Sequence, residues 1–280
     1  MDKKARGQQP IGIFDSGVGG LSVMRAIRQE LPHEDILYLG DQAHIPYGPR
    51  SKAQIKAFSF GITQFLLTQG AKLIVVACNT ASGAALYALR DAFPDVPFVG
   101  MEPAVKPAAE TTRTGKVGVL ATPTTFAGDL YASVVERFAR DVSIYKSNCP
   151  GLVELIEAGA LDSPEVHRIL EEALSPMMDA EIDTVVLGCT HYPFVIPVIE
   201  AITGPSVRTI DPAPAIARQT IRLLSKGHML NQQDSQGNLQ LFSSSDPQKL
   251  IQFSPPSHDE ETSVNRLTWN GETLCLVDGA

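Results

Sequence analysis

Two cysteines stand at matching points of two matching segments. Residues 73–82 read Leu-Ile-Val-Val-Ala-Cys-Asn-Thr-Ala-Ser, and residues 184–193 read Thr-Val-Val-Leu-Gly-Cys-Thr-His-Tyr-Pro. Each is a β-branched apolar run, then a small residue, then a cysteine followed by Asn or Thr. Cys78 and Cys189 are 189 − 78 = 111 residues apart, about the size of a small domain. A thiol placed where a strand gives way to a helix meets the positive end of that helix, which favours thiolate over thiol. Asn79, Thr80, Thr190 and His191 add hydrogen-bonding neighbours. Two thiols offered in the same way suit symmetric proton transfer better than a single nucleophilic attack. Cys149 and Cys275, by contrast, read as small buried hydrophobes.

Other residues bear on the same chemistry. Asp15-Ser16-Gly17-Val18-Gly19-Gly20 follows a short apolar run. It fails as a dinucleotide fingerprint, because Ser22 stands where the third glycine belongs and Asp15 brings negative charge where a pyrophosphate would lie. It suits a small carboxylate held by backbone N–H groups, with Asp15 acting on an ammonium or a thiol. His191, two residues beyond Cys189, reads as an acid/base partner. In Ala43-His44-Ile45-Pro46-Tyr47-Gly48 the expected ligand contacts are Tyr47 and Gly48, with His44 left on the surface. Glu157, taken alone, reads as a solvated helix residue.

Strands alternate with helices around these residues, the pattern of a mainly parallel α/β protein. Strands are expected at Ile11–Phe14, Ile36–Leu39, Leu73–Ala77, Val117–Leu120, Val142–Tyr145 and Thr184–Leu187. Ser51 is placed to cap a helix carrying Ile55, Phe58, Ile62 and Phe65 and ending at Gly70. Other helices are expected over Val23–Leu31, through Leu86 and Leu89, near Asp129–Ala139, and over Leu152–Ala158 and Pro164–Met178. Ile11–Ser16 also pairs loosely with Val117–Thr122. Two related lobes follow, with strand C-terminal ends facing a cleft, where open α/β sheets bind ligands. The expected division is 11–103 with 212–253 as the first lobe and 104–211 as the second. A tail over 254–280 holds a hairpin signalled by Asn270-Gly271. Asn231–Asn238 and Ser254–Ser263, with Pro255-Pro256, read as loops.

The bulk composition narrows the possibilities. The chain has 280 residues and a formal charge of −8, which gives no electrostatic footprint for nucleic acid. Lys3, Lys4 and Arg6 form only a short basic arm. No segment reaches the roughly 18 apolar residues of a membrane span, and Met1 to Pro10 lacks a signal-peptide core. Four cysteines make no disulfide framework and show no zinc spacing. A cytoplasmic protein with reduced thiols, binding neither nucleic acid nor membrane, is expected.

Phe-Asp-Ser-Gly-Val-Gly-Gly-Leu-Ser-Val (14–23), Pro-Tyr-Gly (46–48), Val-Ala-Cys-Asn-Thr-Ala-Ser (76–82) and Leu-Gly-Cys-Thr-His-Tyr-Pro (187–193) resemble the signature segments of bacterial glutamate racemases. The resemblance runs from about Ile11 to Leu224 and continues weakly through Phe242–Pro247. It implies a pseudo-symmetric two-lobed α/β protein of the cofactor-independent aspartate/glutamate racemase superfamily, with the site between the lobes. The family's catalytic thiols fall on Cys78 and Cys189, its carboxylate beside the first thiol on Asp15 and its histidine on His191. The family glutamate that follows a Cys-Pro element, here Cys149-Pro150, falls on Glu157 rather than Glu154. Substrate contacts fall on Asp15, Ser16, Tyr47, Gly48, Asn79, Thr80, Thr122, Thr125, Thr190 and His191. The resemblance implies no cofactor and no metal, glutamate as substrate, and D-glutamate supplied to peptidoglycan. It leaves open a homodimer and activation by a cell-wall precursor, as in some relatives.

The implied reaction has its own physical logic. Inverting Cα means removing a proton from one face and delivering one to the other, so two acid/base groups must flank the substrate. The carbanion must be stabilised by preorganised hydrogen bonds in a site closed to water. An aspartate racemase, or an isomerase or lyase on a related diacid, is the nearest alternative. A cysteine-nucleophile hydrolase leaves the second thiol unexplained, and Ala84 stands where a Cys-x5-Arg phosphatase loop needs arginine. A non-catalytic binding protein would have no need of both thiols.

Overall fold

The computed structural model describes residues 6–254 and 264–277; Lys3, Lys4 and Pro255-Pro256 lie outside the described residues. The chain divides into two compact units, one running to Met101 and resuming at Ala213, the other Glu102–Pro212.

The first unit is built on a seven-stranded sheet. Its strands are β1 (Ile11–Asp15), β2 (Ile36–Gly40), β3 (Leu73–Val76), β4 (Phe98–Gly100) and three late strands from the C-terminal part of the chain. β1, β2 and β3 are buried along their whole length, as the continuous apolar runs of a parallel sheet covered on both faces should be. The expected helices form at Leu21–Glu30, Lys52–Thr68 and Asn79–Ala92. The Lys52–Thr68 helix starts where Ser51 and Gln54 make a reciprocal capping box, two backbone donors being satisfied at once. It ends before Gly70, whose φ of +86° is open to glycine at little steric cost.

The second unit carries a four-stranded parallel sheet of β5 (Lys116–Ala121), β6 (Ser143–Ser147), β7 (Thr184–Gly188) and β8 (Arg208–Ile210), in the order β6-β5-β7-β8. The first four strands of the other sheet run β2-β1-β3-β4. The two units therefore share one topology: the first strand is central, flanked by the second and the third. The point where strand order reverses is where open α/β sheets leave a ligand crevice at the strand C-terminal ends. In one unit those ends lead into Ser16, Asp41 and Cys78; in the other they lead into Thr122, Asn148-Cys149 and Cys189.

Beyond Leu224 the sequence pattern weakens, yet three more strands join the first sheet. They are β9 (Leu239–Ser243), β10 (Val264–Asn270) and β11 (Thr273–Leu276), giving the full order β11-β10-β9-β2-β1-β3-β4. β9 and β10 add in parallel, and β10 and β11 form an antiparallel hairpin turning at Gly271-Glu272, one residue beyond the Asn270-Gly271 expected. Leu267 and Leu274 of the hairpin are buried in the same core as Phe14, Ile62, Val76 and Phe242.

Candidate active site

Asp15 is the last residue of β1 and is fully buried. Its Oδ2 accepts the Gly17 N–H at 3.0 Å, and the Tyr38 hydroxyl donates to the Gly17 carbonyl at 2.7 Å. A Cβ at Gly20 would stand 2.6 Å from that of Asp15. The glycine turn is thus a packing device that lets the Leu21–Glu30 helix begin against the carboxylate-bearing segment.

Cys78 follows β3 and caps the Asn79–Ala92 helix itself, its Sγ accepting the Ala81 N–H at 3.4 Å. The next turn is fixed by Ser82, whose hydroxyl donates to Val76 O at 3.1 Å and accepts the Met101 N–H at 2.8 Å. Asn79 is buried, and neither its amide oxygen nor its amide nitrogen has a hydrogen-bond partner. A buried carboxamide without a protein partner costs free energy unless water or a ligand satisfies it.

Tyr47 is buried and its hydroxyl donates to Asp41 Oδ2 at 2.6 Å. Burial, then the Asp41 carboxylate, push its pKa well above the usual tyrosine value; Cys78 and Asp15 act in the same direction, which places all of them in one neighbourhood. His44 is not the surface residue the sequence suggests. It is half-buried, bonded through Nδ1 to Asp41 at 2.9 Å, with its ring stacked on Phe58 at 3.7 Å between centroids.

The second unit presents its thiol differently. Cys189 follows β7, but no α-helix begins there: a turn leads into a short 3₁₀ segment, Tyr192–Val195, and the Ile196–Thr203 helix starts only afterwards. The helix-start argument holds for Cys78 and is corrected for Cys189. What Cys189 has instead is a polar chain. Its Sγ lies 3.9 Å from His191 Nδ1, and His191 Nε2 lies 2.7 Å from Glu157 Oε1. His191 and Glu157 are only 2% and 5% exposed, so Glu157 is not a solvated helix residue, whereas Glu154 one turn earlier is exposed. With Glu157 accepting from Nε2–H, the other ring nitrogen faces the thiol, the arrangement in which an imidazole exchanges a proton with it.

Cys149, after β6, is buried as expected, and burial followed by the nearby Cys189 pushes its pKa up to about 12, so it stays a thiol. Tyr192 bonds to it and is itself pushed well above the tyrosine range, by burial first and then by Cys189 and Cys149. Cys275 is exposed on β11, against the expectation of burial.

The remaining sequence candidates sit at the same strand ends. Ser16, Asn79 and Thr80 in the first unit and Thr125 and Thr190 in the second are buried, while Gly48 and Thr122 are half-buried. Thr122 caps the Pro123–Phe126 turn by accepting the Thr125 N–H, and the two hydroxyls lie 3.0 Å apart. One neighbourhood therefore gathers Asp15, Tyr47 and Cys78, and the other gathers Cys189, His191 and Glu157. Sequence reasoning missed Asp41, Tyr192 and Trp269. For Asp41 a signal existed: Leu39-Gly40-Asp41 ends its strand on an aspartate just as Phe14-Asp15 does.

This fold, with a buried cysteine after the third strand of each sheet, marks out a class. The chain belongs to the Asp/Glu/Hydantoin racemase family, whose model matches residues 11–220. Within that family the relatives are glutamate racemases. One from Roseiflexus sp. is 50% identical over 250 residues, covering 89% of this chain and 91% of its own. Among solved structures, glutamate racemase from Francisella tularensis in complex with D-glutamate superposes with a TM-score of 0.77 at 33% identity, over 88% of this chain and 92% of that one. Escherichia coli glutamate racemase, in complex with L-glutamate and the activator UDP-MurNAc-ala, gives 0.80 at 34% identity, over 94% and 100%.

Proposed function

We propose that this chain interconverts L- and D-glutamate, with Cys78 and Cys189 as the two acid/base groups, each presented at a strand C-terminal end of its own unit. The observation that carries this reading is the repeat of one thiol at one topological position in two sheets of the same strand order. In the forward direction one cysteine, as thiolate, takes the Cα proton and becomes a thiol. The other, as thiol, delivers its proton to the opposite face and becomes a thiolate; the reverse direction exchanges the roles. Charge and protons balance over the cycle, and the resting states before and after turnover differ only in which sulfur is protonated.

Asp15, in the same Tyr47 neighbourhood as Cys78, holds the substrate ammonium or adjusts that thiol. His191, held by Glu157, does the corresponding work for Cys189. The amide of Asn79, with Ser16, Thr80, Thr122, Thr125 and Thr190, supplies neutral donors for the carboxylates. Tyr47 commits its hydroxyl to Asp41, so it shapes the Pro46–Gly48 segment that meets the substrate. The product serves peptidoglycan synthesis in the cytoplasm. Self-association as a homodimer and activation by a nucleotide-linked cell-wall precursor are extensions of the same reading, supported by the likeness to a racemase solved with such an activator.

The test is purified protein with L-glutamate in D2O and no added cofactor, following optical rotation and deuterium at Cα together. Racemisation with deuterium entering Cα, and none with L-aspartate, is expected. Cys78→Ser and Cys189→Ser should each lower racemisation by at least about 10³-fold, since a hydroxyl is a far poorer base than a thiolate at neutral pH. Full activity in either variant overturns the two-thiol reading.

A further inference from the structure

The C-terminal hairpin ends at a residue that the proposed chemistry does not use. Trp269 on β10 donates its indole N–H to Asp41 Oδ1 at 2.8 Å. The same carboxylate accepts from the Tyr47 hydroxyl at 2.6 Å, from Ser244 Oγ at 2.7 Å and from His44 Nδ1 at 2.9 Å. Asp41 is fully buried and lies at the C-terminal end of β2. A carboxylate has acceptor sites for four donors and no donor of its own, so it can tie several segments to one point, here three. Those segments are the Asp41–Gly48 stretch, the residue after β9, and the hairpin.

The hairpin has a seat made for it. His44, Tyr47, Phe58 and Trp269 form one aromatic cluster, with His44 and Trp269 edge-on at 5.1 Å and Phe58 and Trp269 tilted at 5.9 Å. Gly61 lies inside the Lys52–Thr68 helix, where glycine is a poor helix former. A Cβ there would press on the Glu272 carbonyl and stand 2.7 Å from the indole ring. The missing side chain leaves room for the tryptophan, which explains a residue that the helix alone would disfavour.

We propose that the hairpin is a strap and Trp269 a positioning residue: through Asp41 it fixes Tyr47, and with it the Pro46–Gly48 loop beside Cys78. The inference rests on the racemase reading for its kinetic consequence, though not for its structural one. The loop binds and orients substrate and does not itself move a proton. Loosening it therefore raises KM for both enantiomers more than it lowers kcat.

Three full-length variants test this. Trp269→Phe keeps a ring in the socket and removes only the N–H. Gly61→Ala leaves Trp269 and Asp41 unchanged and pushes the hairpin outward, although alanine favours the helix. Gln64→Ala, on the same helix, is the control. Two readouts are taken from each variant and from the wild type. The first is KM and kcat for L- and D-glutamate. KM should rise about 5-fold or more in Trp269→Phe and Gly61→Ala, with kcat within about 2-fold. The second is the rate at which iodoacetamide modifies Cys78 relative to Cys189, read by mass spectrometry of their peptides. That ratio should rise about 5-fold in the same two variants and stay fixed in Gln64→Ala.

An unchanged alkylation ratio in both variants refutes the strap whatever the protein does with glutamate. A raised ratio in a wild-type background that fails to racemise glutamate supports the strap and overturns the functional reading instead. A fall in kcat at constant KM in Trp269→Phe overturns the assignment of Trp269 to positioning.

Discussion

Replacing Glu157 by Gln separates charge from hydrogen bonding in the Cys189 neighbourhood. The Glu157–His191 contact is 2.7 Å between groups that are almost wholly buried. Glutamine keeps an oxygen that can accept from His191 Nε2–H, so the ring's orientation survives and only the negative charge is lost. Hydrogen bonds to charged groups contribute about 1.5–3 kcal/mol against about 0.5–1.5 for neutral ones. In the proposed mechanism the difference, about 1–2 kcal/mol, acts only when the imidazole carries positive charge, having taken the Cys189 proton. At about 1.4 kcal/mol per tenfold, Glu157→Gln should lower kcat by about 5- to 30-fold with KM little changed. The assay is racemisation in each direction by circular dichroism. Because the enantiomers have equal free energies, kcat/KM must fall by the same factor in both directions, which checks the data internally. Glu154→Gln on the exposed side of the same helix should stay within about 2-fold of wild type. A Glu157→Gln enzyme of unchanged kcat, or an equal loss in Glu154→Gln, would refute the charge argument.

Two predictions concern stability. Asp183 Oδ1 accepts from the Thr112 and Thr184 hydroxyls and Oδ2 from the Arg113 and Thr114 N–H groups, closing the turn that leads into β5. Desolvation pushes its pKa up, but these four hydrogen bonds outweigh it and hold the value at about 2, below the ordinary 3.8. A depressed carboxylate stabilises the fold fully above its unfolded pKa, and that contribution is lost as pH falls through the folded one. The Tm gap between wild type and Asp183→Asn should therefore be present at pH 7, at about 1–3 kcal/mol, and shrink from about pH 4 toward pH 2; a gap constant over that range contradicts it. Lys72 and Glu34 form a buried ion pair, with Lys72 Nζ also donating to Gly7 O at 2.6 Å and Glu34 Oε1 accepting the Asn231 N–H at 2.8 Å. Lys72→Met leaves the carboxylate buried without its cation and should cost about 3–5 kcal/mol in urea unfolding; a loss below about 1 kcal/mol would show the pair to be dispensable.

Local signals made the sheets readable and distant pairings did not. β1, β3, β5 and β7 announce themselves as β-branched runs, and Ser51 announces its helix through Gln54 three residues on, because caps and runs are written within a few residues. β9 is short and partly exposed, and it is a strand because β2 offers an unpaired edge two hundred residues earlier in the chain; no local pattern records that. Glu157, taken alone, reads as solvated for a related reason, and only the resemblance singles it out. In a six-residue helix the buried face is decided by what packs on it, and periodicity has too few turns to speak. For Cys189 the sequence does carry a signal. Pro193 and Pro197 both suit helix first turns, and two such starts in five residues mean a break between them.

The two cysteines occupy equivalent strand ends, but what surrounds them is not equivalent, and chirality explains why. A protein of L-residues has no mirror plane, so it cannot present mirror-image environments to mirror-image substrates. It can only repeat a fold and then furnish each copy separately. Cys78 caps a helix N-terminus and shares the neighbourhood of Tyr47 with Asp15, whereas Cys189 lies by an imidazole held on a buried glutamate. Glutamate is equally lopsided, with an ammonium and a carboxylate as unlike substituents on Cα. Thermodynamics forces only kcat/KM to match for the two enantiomers. The separate values of kcat and KM are free to differ, and in the proposed two-thiol mechanism the unlike companions of the two thiols are the structural source of that freedom.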